Sequence, residues 1–158
     1  MAYTLRPFTT KDAPALCALT LDAIVQTGAK AYSAEQVRVW SSGHDDPARF
    51  VARADAGHHI YVMADESDLP VAYALLEPDG HLDMLYCSPA HSGHGLAAKL
   101  LAYAEGEARK LGVTRLYTEA SELARTAFER AGYTLKGRRD FDLRGVAIHN
   151  YEMDKELT

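Results

Sequence analysis

The hydrophobic period changes in the middle of this 158-residue chain, and that change restricts the fold more than any other feature. Three apolar or alternating runs follow one another at residues 59–64, 71–77 and 81–87, which is the pattern of β-strands. The segments between them, 65–68 and 78–80, are short and rich in Asp, Pro and Gly, as hairpin turns are. The pattern therefore predicts a three-stranded antiparallel meander.

A loop with glycines at 93 and 95 leads from the last of these strands into a long helix, predicted over 93–111. The apolar stripe of that helix is Leu96, Leu100, Ala104, Ala108 and Leu111. Unpaired amides in the first turn and the helix dipole make such a start an anion site suited to a diphosphate. The loop is neither a Walker A loop, which ends in Gly-Lys-Ser/Thr, nor a dinucleotide fingerprint, which opens a βαβ unit.

Flanking segments supply the other predicted elements. We expect a strand at 3–6, helices that begin near Thr9, Ser33 and Asp46, and then a strand at 114–119, a helix at 122–131 and strands at 133–141 and 146–153. The order β-α-α-α-β-β-β-α-β-α-β-β predicts an α+β fold in which helices flank a mixed, mostly antiparallel central sheet. Residues 1–158 are predicted to form a single domain.

Composition excludes several classes of protein. With 47% hydrophobic residues the chain can bury a core, and its net charge of −5 offers no footprint for nucleic acid. No apolar run approaches the ~20 residues that span a bilayer, and the first residues lack a secretion signal. Cys17 and Cys87 have no metal-like spacing and are expected to be free thiols in a reducing cytosol. We therefore predict a cytoplasmic protein without nucleic-acid or membrane partners.

Two segments resemble motifs of the GNAT superfamily of N-acetyltransferases. Residues 85–98, Leu-Tyr-Cys-Ser-Pro-Ala-His-Ser-Gly-His-Gly-Leu-Ala-Ala, are similar to its pattern Gln/Arg-x-x-Gly-x-Gly/Ala after a strand that ends in Pro. Gly95 and Ala97 match the two small positions, whereas Ser92 stands where the family has Gln or Arg. Residues 121–133 resemble the family helix Asn-x-x-Ala-x-x-Phe-Tyr-x-x-x-Gly-Phe. Because the element order also matches, the resemblance covers essentially the whole chain.

The resemblance implies an enzyme that moves the acetyl group of acetyl-CoA to a primary amine of a small molecule or peptide, by direct attack in a ternary complex. A backbone amide near Tyr86 or Cys87 would then stabilise the oxyanion. The residues that the resemblance places beside the cofactor are Leu85, Tyr86, Cys87, Ser92, Gly93, His94, Gly95, Leu96, Ala97, Ala98 and Phe128.

The resemblance also implies the catalytic candidates. Asp83 and Glu119 are candidates for the base that takes the amine proton. Asp83 is equally explained as a carboxylate paired with an Arg or Lys on a neighbouring strand. Glu119 is equally explained as a solvated residue at the end of a strand. The family's usual acid, a Tyr, is replaced by Phe128, so that water, Tyr133 or Tyr86 would have to serve instead.

Tyr32 and Trp40 are expected to wall the acceptor pocket, with core packing as the alternative for Trp40. The acidic net charge favours a cationic acceptor. No metal is expected, because the histidines lack metal-ligand spacing and are predicted to lie in loops or on the surface; they include His58, His59, His81, His91 and His94.

Two further implications remain open. A homodimer through the C-terminal strands is common among relatives of this kind. Phe128 and Ser92 depart from the family pattern and leave a second function open, a catalytically weak or inactive CoA-binding regulatory module.

Overall fold

A computed structural model describes residues 2–158, and across this range the helices and strands follow the predicted order. Their bounds are β1 (Thr4–Pro7), α1 (Ala13–Asp22), α2 (Ala34–Ser41), α3 (Ala48–Asp55), β2 (His59–Ala64), β3 (Pro70–Leu76), β4 (Leu82–Cys87), α4 (Leu96–Lys110), β5 (Arg115–Ala120), α5 (Arg125–Arg130), β6 (Thr134–Leu143) and β7 (Val146–Glu156). After α1 the chain continues through a π-helical turn and a 3₁₀ turn as far as Lys30.

The strands form two antiparallel sheets, β1-β2-β3-β4 and β5-β7-β6. The sheets meet at β4 and β5, where a parallel bridge joins His81 to Tyr117 and the Tyr117 amide donates to the Gly80 carbonyl at 3.1 Å. The predicted antiparallel meander of β2, β3 and β4 is confirmed. Within residues 2–158, the parallel bridge between the sheets is what makes the strand arrangement mixed rather than purely antiparallel. Apart from this bridge, β4 and β5 pair with other strands, and we call the space between them the wedge.

Several element boundaries differ from the prediction for local reasons. Helix α4 begins at Leu96 rather than at residue 93, because Gly93 and Gly95 adopt positive φ angles of 83° and 71°. Helix α5 begins at Arg125, because Ser121 accepts a hydrogen bond from the Ala124 amide and closes a separate turn first. The predicted start of α2 is confirmed: the Ser33 and Gln36 side chains each bond the other residue's amide.

The core lies on both faces of the first sheet. Helix α4 buries Leu100, Leu101 and Ala104 against one face, where Leu85 and Cys87 also pack. Met84 and Tyr86 pack on the opposite face, so the alternation of β4 separates the two groups. The expected stripe of α4 is correct except for its last member: Leu111 follows the helix and is 49% exposed.

Within residues 2–158, none of the helices combines the length and the apolar character needed to cross a membrane. Cys17 is buried, Cys87 is half-buried, and neither forms a disulfide. The cytoplasmic location remains a prediction.

Candidate active site

The wedge between β4 and β5 has a closed end and an open end. At the closed end the Thr118 hydroxyl donates to the Leu82 carbonyl at 2.8 Å, next to the bridge between His81 and Tyr117. Two cavities lie along β4. We call the one of about 350 Å³, walled by aromatic residues that include Tyr32 and Trp40, the aromatic cavity. The one of about 600 Å³, beside the loop of residues 91–95, is the glycine-loop cavity.

The glycine-loop cavity has the geometry of an anion cradle. A Cβ atom at Gly93 or Gly95 would meet nothing within 4 Å, so open space lies against this backbone. The amides of 93–95 donate no hydrogen bond to another residue among 2–158. Helix geometry also leaves the amides of Leu96, Ala97 and Ala98 without intrahelical acceptors. This concentration of unpaired N–H groups suits a diphosphate.

The predicted cofactor residues divide between the two cavities. Those lining the glycine-loop cavity are Cys87, Ser92, Gly93, Gly95, Leu96, Ala97 and Ala98. Leu85, Tyr86 and Phe128 line the aromatic cavity instead. His94 lines neither cavity, and its ring lies 5.8 Å from the ring of Tyr3. Strand β4 therefore runs from one cavity to the other.

Hydrogen bonds fix the aromatic wall. Trp40 Nε1 donates to the Tyr86 hydroxyl at 3.2 Å, and the Tyr32 ring lies edge-on to Trp40 at 5.4 Å. The Tyr32 hydroxyl donates to the His149 carbonyl and accepts from the Glu122 amide, both at 2.9 Å. Both Tyr32 and Trp40 thus line the aromatic cavity, and their role as walls of an acceptor pocket stays a prediction.

A cluster of charged side chains lies at the closed end of the wedge. Arg53 on α3 contacts Asp83 at 2.9 Å and Glu77 at 3.1 Å. His81 Nδ1 lies 2.9 Å from Glu77, and His81 Nε2 lies 2.8 Å from Glu119 and 4.0 Å from Asp83. Three carboxylates therefore share two cationic partners.

His81 lies in the connection between β3 and β4, as the prediction of a surface or loop histidine allows, but it is not solvated there. Its side chain is 15% exposed and stacks on Tyr117 with 4.8 Å between ring centroids. The hydrogen bond with Glu119 raises the pKa of His81 to about 9, with a further contribution from Glu77 and against the effect of burial. His81 precedes β4 by one residue, and the register of β4 against β3 shifts at Asp83, so strand alternation in the sequence does not predict that the two residues meet.

Donor atoms of His81, Asp83 and Glu119 lie within 4.8 Å of one another, a spacing that could hold a metal ion. Spacing does not identify these residues as ligands, because both nitrogens of His81 contact carboxylates and Asp83 contacts Arg53. That no metal is bound stays a prediction.

The two candidate bases both line the aromatic cavity but differ in their partners. Asp83 Oδ2 accepts a hydrogen bond from Arg53. Arg53 lies on helix α3 and not on a neighbouring strand, where a partner was expected. Glu119 bonds His81 through Oε1, and its other oxygen has no hydrogen bond within residues 2–158. Glu119 thus has one carboxylate oxygen without a hydrogen-bond partner among residues 2–158, on a side chain that lines the cavity.

The candidate acids are less well placed. Tyr133 lines neither cavity, and its hydroxyl is buried without a partner in the described part of the chain. Burial raises the pKa of Tyr133 above its ordinary value. Phe128 is 2% exposed and packs edge-to-face on Tyr133 at 5.0 Å. The Tyr86 hydroxyl is the acceptor for Trp40, and burial raises the pKa of Tyr86 as well.

The aromatic cavity is not acidic, although the whole chain is. Its lining includes Arg49, Arg53 and Arg139 beside Asp83 and Glu119. Among residues 2–158, neither Arg49 nor Arg139 has a carboxylate partner. The Arg139 guanidinium lies 4.4 Å from the Phe141 ring and donates to Asn150. Net charge therefore does not predict which ligand this cavity takes.

A wedge between two sheets, next to a glycine loop at a helix start, defines a class of α+β proteins that bind a diphosphate-bearing cofactor. The family model for the acetyltransferase (GNAT) domain matches residues 28–155. This chain belongs to the GNAT acetyltransferase family, whose members are acyltransferases that depend on acetyl-CoA.

Solved structures agree with this assignment. A GCN5-related N-acetyltransferase (aminotransferase, class-II) from Rhodopseudomonas palustris is 34% identical over 99% of this chain and 97% of its own, with a TM-score of 0.89. PaiA N-acetyltransferase from Thermoplasma acidophilum, in complex with coenzyme A, has the same fold at 16% identity, 99% coverage of both chains and a TM-score of 0.79.

A phosphinothricin acetyltransferase from Sinorhizobium meliloti, in complex with acetyl-CoA, also shares the fold at 18% identity and a TM-score of 0.77. The match covers 99% of this chain and 89% of that one. The comparison with curated proteins gave no match.

Proposed function

We propose that residues 1–158 act as a single domain that transfers the acetyl group of acetyl-CoA to a primary amine of a small molecule in the aromatic cavity. One observation carries the proposal: β4 leads from an anion cradle at one end of the wedge to paired carboxylates at the other. A thioester reaching along the strand would meet an amine held beside Asp83 and Glu119.

The glycine-loop cavity fits acetyl-CoA because open space lies against Gly93 and Gly95, where unpaired amides converge. Acetyl-CoA supplies the activated acyl group. The backbone amides from Gly93 to Ala98 would hold the diphosphate, and β4 from Leu85 to Cys87 would orient the pantetheine arm. We assign the backbone amide of Tyr86 or Cys87 as the hydrogen-bond donor that stabilises the acyl oxygen during the reaction.

An acceptor amine arrives as an ammonium ion and must lose a proton before it attacks. We assign Glu119 as the base that accepts this proton, because one of its carboxylate oxygens has no hydrogen-bond partner among residues 2–158. Asp83 adds negative charge that attracts the ammonium, while Arg53 restrains it. The departing thiolate leaves without a side-chain acid at Phe128, which is feasible because the pKa of an ordinary thiol is ~8.5.

The charges of the aromatic cavity guide the choice of acceptors. Arg49 and Arg139 can bind an anionic group at the wall, while Asp83 and Glu119 bind the amine. The volume of about 350 Å³ suits a small molecule. A panel of acceptors should therefore contain polyamines, amino sugars and amino acids, with each amino acid paired with its uncharged amide.

The experiment measures thiol release from acetyl-CoA with this panel, and mass spectrometry identifies the acetylated product. Acetyl-CoA binding is followed in parallel as a thermal shift, since a ligand that binds only the native state raises its stability. Product that depends on both substrates supports the proposal, and a protein that neither binds acetyl-CoA nor releases thiol contradicts it.

A regulatory CoA-binding module is the second candidate. It is favoured by Phe128, which stands where the family motif resembled by residues 121–133 has a Tyr, and by Tyr133, which lines neither cavity and has a buried hydroxyl. Acetyl-CoA binding without thiol release for every amine in the panel would support the module over the enzyme.

A further inference from the structure

His81 is the hub of the charged cluster at the closed end of the wedge, yet it does not line the aromatic cavity. Its two ring nitrogens contact two different carboxylates, Glu77 at 2.9 Å and Glu119 at 2.8 Å. Tyr117 stacks on the ring and limits its rotation. An imidazole held from both ends and from one face has a fixed orientation.

We propose that His81 is a positioning residue for the acetyl transfer: it holds Glu119 by one oxygen so that the other oxygen faces the acceptor amine. This inference rests on the proposed function, in which Glu119 takes the amine proton. His81 itself touches neither substrate.

The second contact of His81 makes this arrangement rigid. A neutral imidazole donates only one hydrogen bond, whereas a protonated imidazole donates from both nitrogens. With His81 protonated, Glu77 and Glu119 are both bonded and the ring cannot tilt away from either. The pKa of about 9 keeps this form populated at neutral pH.

Other charged groups around the ring favour the same form. Asp83 on β4 lies 4.0 Å from Nε2, and Arg53 on α3 is separated from the ring by Glu77 and Asp83. On β5, Arg115 lies 5.2 Å from the Tyr117 ring, on which His81 stacks, and Asp79 accepts the Tyr117 hydroxyl. The nearest charges to the imidazole are thus carboxylates.

Two substitutions separate positioning from a structural role. His81→Gln places an amide nitrogen near the position of Nε2, where it can donate to Glu119. His81→Asn places the amide near Nδ1, where it can donate to Glu77 but not to Glu119. We expect kcat to fall less than about tenfold in His81→Gln and about 10²-fold or more in His81→Asn, within the range of general-base assistance.

The KM for acetyl-CoA should change less than about twofold in both variants, because the glycine-loop cavity is untouched. His59→Gln is the matched control, since His59 stacks on Tyr61 away from the cluster. Equal losses of kcat in the Gln and Asn variants, in step with their losses of thermal stability, would show a structural role and overturn the inference.

The pH dependence adds a readout that a structural role would not move. The ratio of wild-type kcat to His81→Gln kcat cancels the titration of the acceptor, because both proteins use the same amine. We expect this ratio to fall as pH rises through about 9, where His81 loses one of its two donors. A ratio that stays constant from pH 7 to 10 would contradict the inference.

Nuclear magnetic resonance of labelled histidine tests the geometry without any turnover. The His81 midpoint should lie near 9 and should shift downward in Glu119→Gln. An unshifted midpoint would overturn the inference. Activity lost with a chelator and restored by a divalent metal would overturn it too, since a metal would then organise the carboxylates. A wild-type protein that acetylates no amine overturns the proposed function as well.

Discussion

The carbonyl oxygen of Arg115 lies so close to Gly80 that a Cβ atom at residue 80 would be within 3.0 Å of it. The two sheets are joined at this point. The backbone amide of Tyr117, two residues after Arg115, donates a hydrogen bond to the Gly80 carbonyl. Gly80 also has a φ angle of 106°, a conformation that residues with a Cβ rarely adopt. The closed end of the wedge therefore depends on the absence of a side chain at this position.

Gly80→Ala should destabilise the protein by at least about 2 kcal/mol, since backbone strain of this kind costs about 1–3 kcal/mol before any clash is counted. Gly106→Ala is the matched control: residue 106 lies within α4 with open space around it. That change should stabilise by about 0.5–1 kcal/mol. Urea unfolding measures both, and equal stabilities of the two variants would contradict the role given to Gly80.

Gly95→Glu should abolish acetyl-CoA binding, because a carboxylate would project into the cradle that holds the diphosphate. Gly95→Ala separates charge from strain: it adds only a methyl group at a φ angle of 71° and should weaken binding far less. Calorimetry with acetyl-CoA gives both affinities. If the Glu variant folds and binds as the wild type does, the cofactor site lies elsewhere.

Glu119→Gln should lower kcat by about 10²–10⁴-fold, as expected for removal of a general base, and should also lower stability, because His81 loses the partner that raises its pKa most. Asp83→Asn should lower kcat less, and it should reduce thermal stability because Arg53 loses a carboxylate partner. The exposed fraction of Asp83, 28%, limits this effect to about 1 kcal/mol. Steady-state rates and melting temperatures of both variants provide the check, and the reverse ranking would make Asp83 the base.

The stability of the protein should decrease as pH rises above neutrality because of His81. The hydrogen bonds of the folded state raise the pKa of His81 from 6.5 to about 9. The stabilisation is therefore complete below pH 6.5 and disappears as pH rises through about 9, with a total on the order of 3 kcal/mol. Unfolding at pH 6, 8 and 10 measures the slope, and His81→Gln should flatten it. A wild-type slope equal to that of the variant would exclude His81 as the cause.

Phe128→Tyr should be tolerated and should raise turnover several-fold below pH 7, where the departing thiolate gains most from a nearby proton donor. Phe128 is among the residues that line the aromatic cavity, although only 2% of it is exposed, so a hydroxyl added to its ring would lie next to that cavity. A pH–rate profile of the two proteins tests this. A variant that folds and binds acetyl-CoA but loses activity would assign Phe128 to packing or to acceptor fit.

Local patterns in the sequence were sufficient for the element order and for the position of the glycine loop. Alternation and turn residues predict β2, β3 and β4, and the helix stripe predicts α4, because these signals arise from neighbouring residues. Boundaries failed where glycine dihedral angles decide them, as at Gly93 and Gly95. Arg53 could not be paired with Asp83 in advance, since no local rule relates a residue on α3 to one on β4.

The sequence by itself determined that a strand, a glycine loop and a helix start would form an anion cradle, because hydrogen bonding along one segment dictates that geometry. Only the tertiary structure decided what His81 does. The contact between β4 and β5 brings Glu119 from 38 residues away to His81, and the hydrogen bonds with Glu119 and Glu77 raise the pKa of His81 against the effect of burial. Such pairing depends on how two sheets meet, and that meeting is a property of the packed chain.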